Sequence, residues 1–216
     1  MKVIRSQCEE KSSFQFKASQ RFYMPIKRLI GLVGSMVGIT VCFLLLWWWI
    51  LPINTVVTKG HPFFQQERLG KHKRVFKLVK FRSMKIDANP NFAPSNMTAE
   101  KQLSMETRFG RFLRKTSLDE TMQLFNILLG DMAFIGPRPG ASINEEVLVS
   151  ERERYSPSAY EVKPGLSGLA QVRMRRNHDP KEKARYDHEY VANISFFNDV
   201  KLFLATVLRL FNSGAR

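Results

Sequence analysis

The sequence predicts a mixed α/β chain, one folded domain behind an N-terminal helix apolar enough for a membrane. Three observations predict it. Residues 29–58, "LIGLVGSMVGITVCFLLLWWWILPINTVVT", are 30 consecutive positions without a charge. Residues 74–84, "RVFKLVKFRSM", are dense in β-branched and aromatic side chains over the length of a strand. Leu118, Met122, Phe125 and Leu129 then recur at helical spacing, and Gly130 stands where a helix C-terminus wants a glycine.

The chain has 216 residues, long enough for one ordinary domain plus extra elements, and a 44% hydrophobic content excludes a disordered chain. Lys and Arg number 34 against 19 acids, a net charge of +15. That balance suits nucleic acid, anionic lipid headgroups or a phosphorylated substrate, and does not choose among them. The two cysteines, Cys8 and Cys42, give neither a disulfide framework nor zinc spacing, which fits a reducing compartment. His61, His72, His178 and His188 form no ligand pair, so a histidine-built metal site is not expected.

The uncharged run favours a membrane partner, because about 20 apolar residues cross a bilayer as a helix. It starts too late and runs too long for a cleaved signal peptide. Trp47, Trp48 and Trp49 stand where an interfacial aromatic belt would be. Residues 1–28 carry seven Lys/Arg and residues 59–85 carry nine, so the positive-inside rule asks for both flanks on the cytoplasmic side. A helix that enters and returns satisfies this; Pro52, Gly31, Gly34 and Gly38 are places where it could turn. The alternative is a single pass from Leu29 to Leu51. The expected organisation is a basic tail over residues 1–26, poorly ordered unless it lies on lipid, a membrane helix over 27–58, and one domain over 59–216.

Within that domain "HPFFQQERLG" is expected to be a turn-rich entry. On the strand that follows, alternation puts Lys80 and Arg82 on one face, about 6–7 Å apart. They make either a wet edge or a partly enclosed anion site. Residues 86–102 hold two prolines and small polar residues and are expected to be a loop.

In "RKTSLDETMQL", residues 114–124, two acids stand side by side in a basic chain. Ser117 and Glu120 fit the S-x-x-E capping box, which places Asp119 and Glu120 in the first turn of a helix near 118–129. Acids there complement the helix dipole, so capping is sufficient to explain them. The same position also binds phosphate, keeps a carboxylate ionised and can hold a metal, and Arg114 and Lys115 just upstream would attract an anion.

Further on, Arg138 lies between Pro137 and Pro139 in "GDMAFIGPRPG", so a stiff backbone presents one guanidinium. "VKPGLSGLAQV" is a Pro-Gly and Gly turn entering a short apolar run. The charged stretch after it turns helical toward its end. Phe197, Val200, Leu204, Val207, Leu208 and Phe211 then form the apolar face of a C-terminal helix that suits either the core or a membrane interface.

"FFQQERLG", "FKLVKFRSM", "GRFLRKTSLDETMQLFNILLGDMAFIGPRP", "KPGLSGLAQV" and "YDHEYVANISFFNDVKLFLAT" occur in that order. Together they resemble the bacterial sugar transferases, the monotopic polyprenyl-phosphate phosphoglycosyl transferases, over residues 27 to about 211. The resemblance implies a small α/β catalytic domain, a re-entrant membrane helix and amphipathic interfacial helices. It implies transfer of a sugar 1-phosphate from a UDP-sugar to undecaprenyl phosphate, with release of UMP and with Mg²⁺ as cofactor, at the cytoplasmic face of the inner membrane. Such a step would open the assembly of an exopolysaccharide, capsule, O-antigen or glycoprotein glycan.

By this likeness Asp119 is the nucleophile that forms an aspartyl phosphosugar, and Glu120 helps it hold the metal. Lys80, Arg82, Arg114 and Arg138 are the phosphate clamp, and Pro137, Gln171 and Asp187 belong to the substrate site. A homodimer is left open. The chain departs from the family's pattern at three places: Gly31 replaces the Asp of K-R-x-x-D, "LLL" at 44–46 stands near where a helix-breaking Ser-Pro is expected, and Met122 replaces the Pro of D-E-x-P-Q.

Two other functions compete. A non-catalytic membrane scaffold of a polysaccharide assembly complex could keep these motifs for structure alone. A nucleic-acid-binding regulator would need basic and aromatic residues clustered on a recognition element, and none is evident.

Overall fold

A computed structural model describes residues 14–84, 106–140, 146–174 and 179–213. Residues Ala18–Thr58 are continuously helical: α1 (Ala18–Cys42), a π-helical stretch (Phe43–Trp47) and α2 (Trp48–Thr58). At 1.5 Å per residue these 41 residues extend about 60 Å. The wide turn falls on the "LLL" where a Ser-Pro break was expected; with no proline there the helix loosens by one residue and continues. Pro52 lies inside α2 without ending it.

The helix begins well before residue 27. Gln20 anchors its first turn, accepting from the Lys17 amide at 3.0 Å and donating to the Ala192 carbonyl at 3.0 Å. Tyr23 and Lys27 both bond Asp199 across the fold, and these contacts hold the helix through Pro25. The proposed tail therefore supplies helix from Ala18 onward; residues 1–13 lie outside the described residues.

Two small sheets follow. β1 (Phe63–Leu69) and β2 (Val75–Phe81) form an antiparallel hairpin in which Phe64 faces Lys80. The stretch expected to be a turn-rich entry is thus mostly strand, and its aromatic start stacks Phe63 on Phe81 at 5.9 Å. β3 (Ala133–Ile135) and β4 (Gly165–Ser167) pair in parallel. Between the sheets in sequence come α3 (Arg108–Lys115), a 3-10 turn (Leu118–Met122) and α4 (Gln123–Leu129). Then α5 (Glu146–Glu153), α6 (Leu169–Arg173), α7 (Pro180–Ala192) and α8 (Phe196–Ser213) complete the domain. The expected loop at 86–102 and the side chain of Phe211 lie outside what is described.

The long helix lies along the domain rather than standing off it. A Cβ built on Gly34 would sit 2.7 Å from the Phe134 ring, and one on Gly38 would sit 3.1 Å from Leu124, so the glycines face inward and permit close approach. Farther along, Trp47 stacks on Phe125 at 5.5 Å, Trp49 meets Phe109, and Asn54 donates to the Pro62 carbonyl at 2.9 Å. Arg28 donates to the Ile127 and Leu128 carbonyls at 2.6 and 2.9 Å and so caps the C-terminus of α4. The opposite face, with Leu29, Val33, Val37, Leu44 and Trp48, is exposed and apolar. On α8, Phe197, Val200, Leu204 and Leu208 are likewise exposed, while Leu202 enters the core.

Candidate active site

The 3-10 turn that carries Asp119 and Glu120 does not start from a capping box. Ser117 has a left-handed backbone (φ 57°, ψ 18°) and its side chain caps nothing. The residue instead ends α3, its amide bonding to the Arg114 carbonyl at 3.1 Å. A non-glycine residue in this region stores on the order of 1–3 kcal/mol of strain, a feature common beside functional groups. The helix expected over 118–129 is accordingly split into a 3-10 turn and the α-helix α4, which Gly130 ends at φ 96°.

Asp119 is buried, 6% exposed. Burial pushes its carboxyl up to about 6, the neighbouring Glu120 charge pushes the same way, and Lys80, Arg114 and Arg138 pull against both. Burial also opposes the charge on Glu120. Arg138 outweighs it by charge and hydrogen bonding, helped by Lys80 and Arg68, and Glu120 stays below the usual carboxylate range. Burial lowers the Lys80 ammonium to about 8, with Arg114 acting the same way and Asp119 opposing.

Each of these groups is fixed from a different element. Lys80 comes from β2 and lies over the Phe64 ring at 5.1 Å. β2 is itself pinned to α4 by Asn126, which donates to the Lys77 carbonyl at 2.8 Å and accepts from the Val79 amide at 3.2 Å. Arg114 ends α3, with Nε on the Ser83 hydroxyl at 2.8 Å and Nη1 on Glu106. Arg138 reaches from the Pro137–Pro139 turn to Glu120 at 2.5 Å. Trp47 of the long helix donates to Thr121 Oγ1 at 3.1 Å, tying the acidic turn to the apolar helix. A pocket opens here, bordered by Arg68, Leu78, Lys80, Glu120, Gln123, Arg138 and Pro139.

Four of the expected residues thus gather around Asp119 or beside it: Glu120, Lys80, Arg114 and Arg138. Arg82 does not share their role. It follows the last residue of β2 and turns its guanidinium back to the Phe63 carbonyl at 3.4 Å. Pro137 contributes backbone, its carbonyl accepting from the Gly165 amide at 2.9 Å. Neither Gln171 nor Asp187 borders the pocket. Gln171, on α6, donates to the Leu166 carbonyl at 3.1 Å, and its own carbonyl accepts from Arg209. Asp187 is 1% exposed and paired with Arg152, so it has no surface to offer a substrate.

Arg68, Asn126 and Arg152 escaped sequence reasoning. Arg68 lies in a strand mistaken for a turn, and the other two act through backbone carbonyls and amides that no side-chain pattern reports.

Among the described residues no group of three or more His, Cys, Asp or Glu side chains is placed to hold a metal. The Asp119–Glu120 pair still fits Mg²⁺, which usually takes one or two carboxylates and completes its shell with water and substrate phosphate. Burial and the neighbouring Glu120 charge both raise Asp119, and a bound divalent cation would offset them.

The model of the family described as bacterial sugar transferase matches residues 22–213. The chain belongs to this family. Among its relatives, the galactosyl transferase CpsE of Streptococcus agalactiae is 32% identical over 92% of this chain and 46% of its own length. The undecaprenyl-phosphate galactose phosphotransferase of Salmonella typhimurium is 34% identical over 88% of this chain and 40% of its own. An uncharacterised sugar transferase of Bacillus subtilis, EpsL, is 34% identical over 87% of this chain and 88% of its own. This sugar transferase chain therefore spans less than half the length of the first two relatives and most of the third.

Proposed function

We propose that this chain transfers a sugar 1-phosphate from a UDP-sugar to undecaprenyl phosphate, with Asp119 as the covalent nucleophile. One observation carries the reading: the buried Asp119 carboxylate lies within the charge of Lys80, Arg114 and Arg138, and its partly exposed neighbour Glu120 lines a basic pocket with Arg68, Lys80 and Arg138. Cations in that pocket would receive a diphosphate and neutralise the charge that builds on the transferred phosphoryl group. The names of relatives in Salmonella typhimurium and Xanthomonas campestris, sugar-phosphate transferases to undecaprenyl phosphate, support the same substrates.

In the first half-reaction an Asp119 oxygen bonds to the phosphorus that carries the sugar. The bond from that phosphorus to the bridging oxygen breaks, and UMP leaves with the electron pair. In the second, an oxygen of undecaprenyl phosphate attacks the same phosphorus, the bond to Asp119 breaks, and the carboxylate is restored. Splitting the transfer lets an aqueous donor and a lipid acceptor use the site in turn. Glu120, held ionised by Arg138, is with Asp119 the residue that would hold Mg²⁺, which when bound supplies further charge neutralisation to the diphosphate.

The long helix sits in the inner membrane with both of its ends and the domain on the cytoplasmic side. In support, its first turns bond Ala192 and Asp199 while its last turns bond Pro62, so one domain holds both halves. The exposed apolar faces of α1, α2 and α8 meet lipid. The product would start a lipid-linked polysaccharide.

The test is to incubate the detergent-purified chain with a panel of UDP-sugars, undecaprenyl phosphate and Mg²⁺. UMP release with a lipid-linked product is the predicted result. A folded protein that releases UMP from none of them would favour the scaffold reading.

A further inference from the structure

We infer that Arg152 and Asp187 act as a positioning pair for Arg138, an inference that rests on the transferase reading only for its kinetic consequence. Arg152, on α5, and Asp187, on α7, are 2% and 1% exposed. Nε and Nη2 of Arg152 converge on Asp187 Oδ2 at 2.9 and 2.5 Å, and the same Nη2 donates to the Arg138 carbonyl at 2.8 Å. The Tyr160 ring covers the guanidinium, 5.6 Å from its centroid. A buried ion pair gains little stability over well-packed apolar residues, so its presence asks for a further role.

The role lies in the carbonyl it grips. Three successive carbonyls of the proline turn are each held from a different element. Pro137 accepts from the Gly165 amide at 2.9 Å, Arg138 from Arg152 at 2.8 Å, and Pro139 from Arg68 Nη1 at 3.3 Å. Pro137 and Pro139 fix φ on either side, leaving the peptide planes at Arg138 as the remaining freedom. Arg152 holds that freedom, and Asp187 holds Arg152. The Arg138 fork is thereby presented to Glu120 with its backbone already set. Asp187 thus serves the site at one remove and touches no substrate.

The experiment compares Arg152→Lys with the parent protein, both with Arg138 intact and combined with Arg138→Ala. Lys keeps the charge, but its single, shorter-reaching nitrogen must replace both Nε and Nη2, so the grip on Asp187 and on the Arg138 carbonyl should loosen. UMP release should fall by about tenfold or more when Arg138 is present and by less than about threefold when it is absent. Amide hydrogen exchange read on a peptide spanning residues 134–140 should speed up by about tenfold in Arg152→Lys, with α4 unchanged. Should Arg152→Lys fail to fold, Asp187→Asn takes its place in both comparisons. Additive losses, or unchanged exchange at 134–140, would overturn the inference. A wild-type protein that releases no UMP overturns the transferase reading instead, and the exchange comparison still decides the positioning role.

Discussion

Arg138 closes on Glu120: its Nη2 donates to Glu120 Oε1 at 2.5 Å and its Nη1 reaches Oε2 at 3.5 Å. Two adjacent acids are thereby set apart. Glu120 is held charged by a forked partner, while Asp119 keeps the raised pKa of a buried carboxyl beside a like charge. Environments that push two neighbouring acids in opposite directions mark different chemical roles.

Replacing Arg138 with Lys leaves a positive charge but removes the fork. The ammonium cannot engage both oxygens of Glu120 and a substrate phosphate with the same geometry. Steady-state UMP release should drop by roughly 10- to 100-fold in kcat/KM, since misplacement of a charge clamp is costly in rate. Unchanged kinetics would remove Arg138 from the site.

Activity should follow a bell-shaped pH profile. Attack requires ionised Asp119, so the rate should rise as pH passes about 6. Phosphate binding requires charged Lys80, so the rate should fall as pH passes about 8. A kcat/KM profile over pH 5–9 at constant ionic strength reads both limbs. Lys80→Arg should move the alkaline limb upward, because a guanidinium stays charged.

The sequence made the strand of Lys80, the helix ended by Gly130, the C-terminal helix and the proline turn legible, because alternation, helical spacing and glycine or proline chemistry act locally. It misled at Ser117. The S-x-x-E pattern describes a cap, but the chain needs a left-handed residue there to turn α3 into the acidic turn, and tertiary packing selects that geometry. The site's supports were illegible for a related reason. Asn126 on the β2 backbone and Arg152 on the Arg138 carbonyl are long-range contacts to main-chain atoms, which carry no side-chain signature. Arg82 shows the opposite error: a correct spacing from Lys80, but at a point where the strand has ended.

Asp119→Asn should make the protein more stable at neutral and alkaline pH. In the fold the carboxyl holds its proton up to about 6 against an ordinary 3.8, so ionising it costs the folded state more than the unfolded one. That loss of stability develops as pH rises from about 4 to about 6 and is complete above, giving at most about 3 kcal/mol. Thermal unfolding at pH 8 should show a higher Tm for Asp119→Asn, and the two proteins should converge near pH 4. A lower Tm at pH 8 would mean that its cationic neighbours outweigh burial.

Gly110→Ala should dismantle the support of Arg114. A Cβ there would lie 2.0 Å from the Ser83 carbonyl oxygen, backbone against backbone, so α3 must shift. Ser83 also holds Arg114 through its hydroxyl, and the shift carries the guanidinium away from Asp119. A loss of roughly 1–3 kcal/mol is expected from such overpacking, measurable by denaturant unfolding. Near-normal stability would show that α3 can slide without penalty.

The proposed transfer requires that Asp119 form a covalent bond to substrate. Wild-type protein mixed with UDP-sugar and Mg²⁺, without lipid acceptor, should release about one equivalent of UMP per active site and gain the mass of one sugar phosphate. Peptide mass spectrometry after rapid acid quench should place that mass on Asp119, and added undecaprenyl phosphate should remove it. Asp119→Asn should neither release UMP nor gain mass. An Asp119→Asn protein with near-normal turnover, or an adduct found on another residue, would contradict the account.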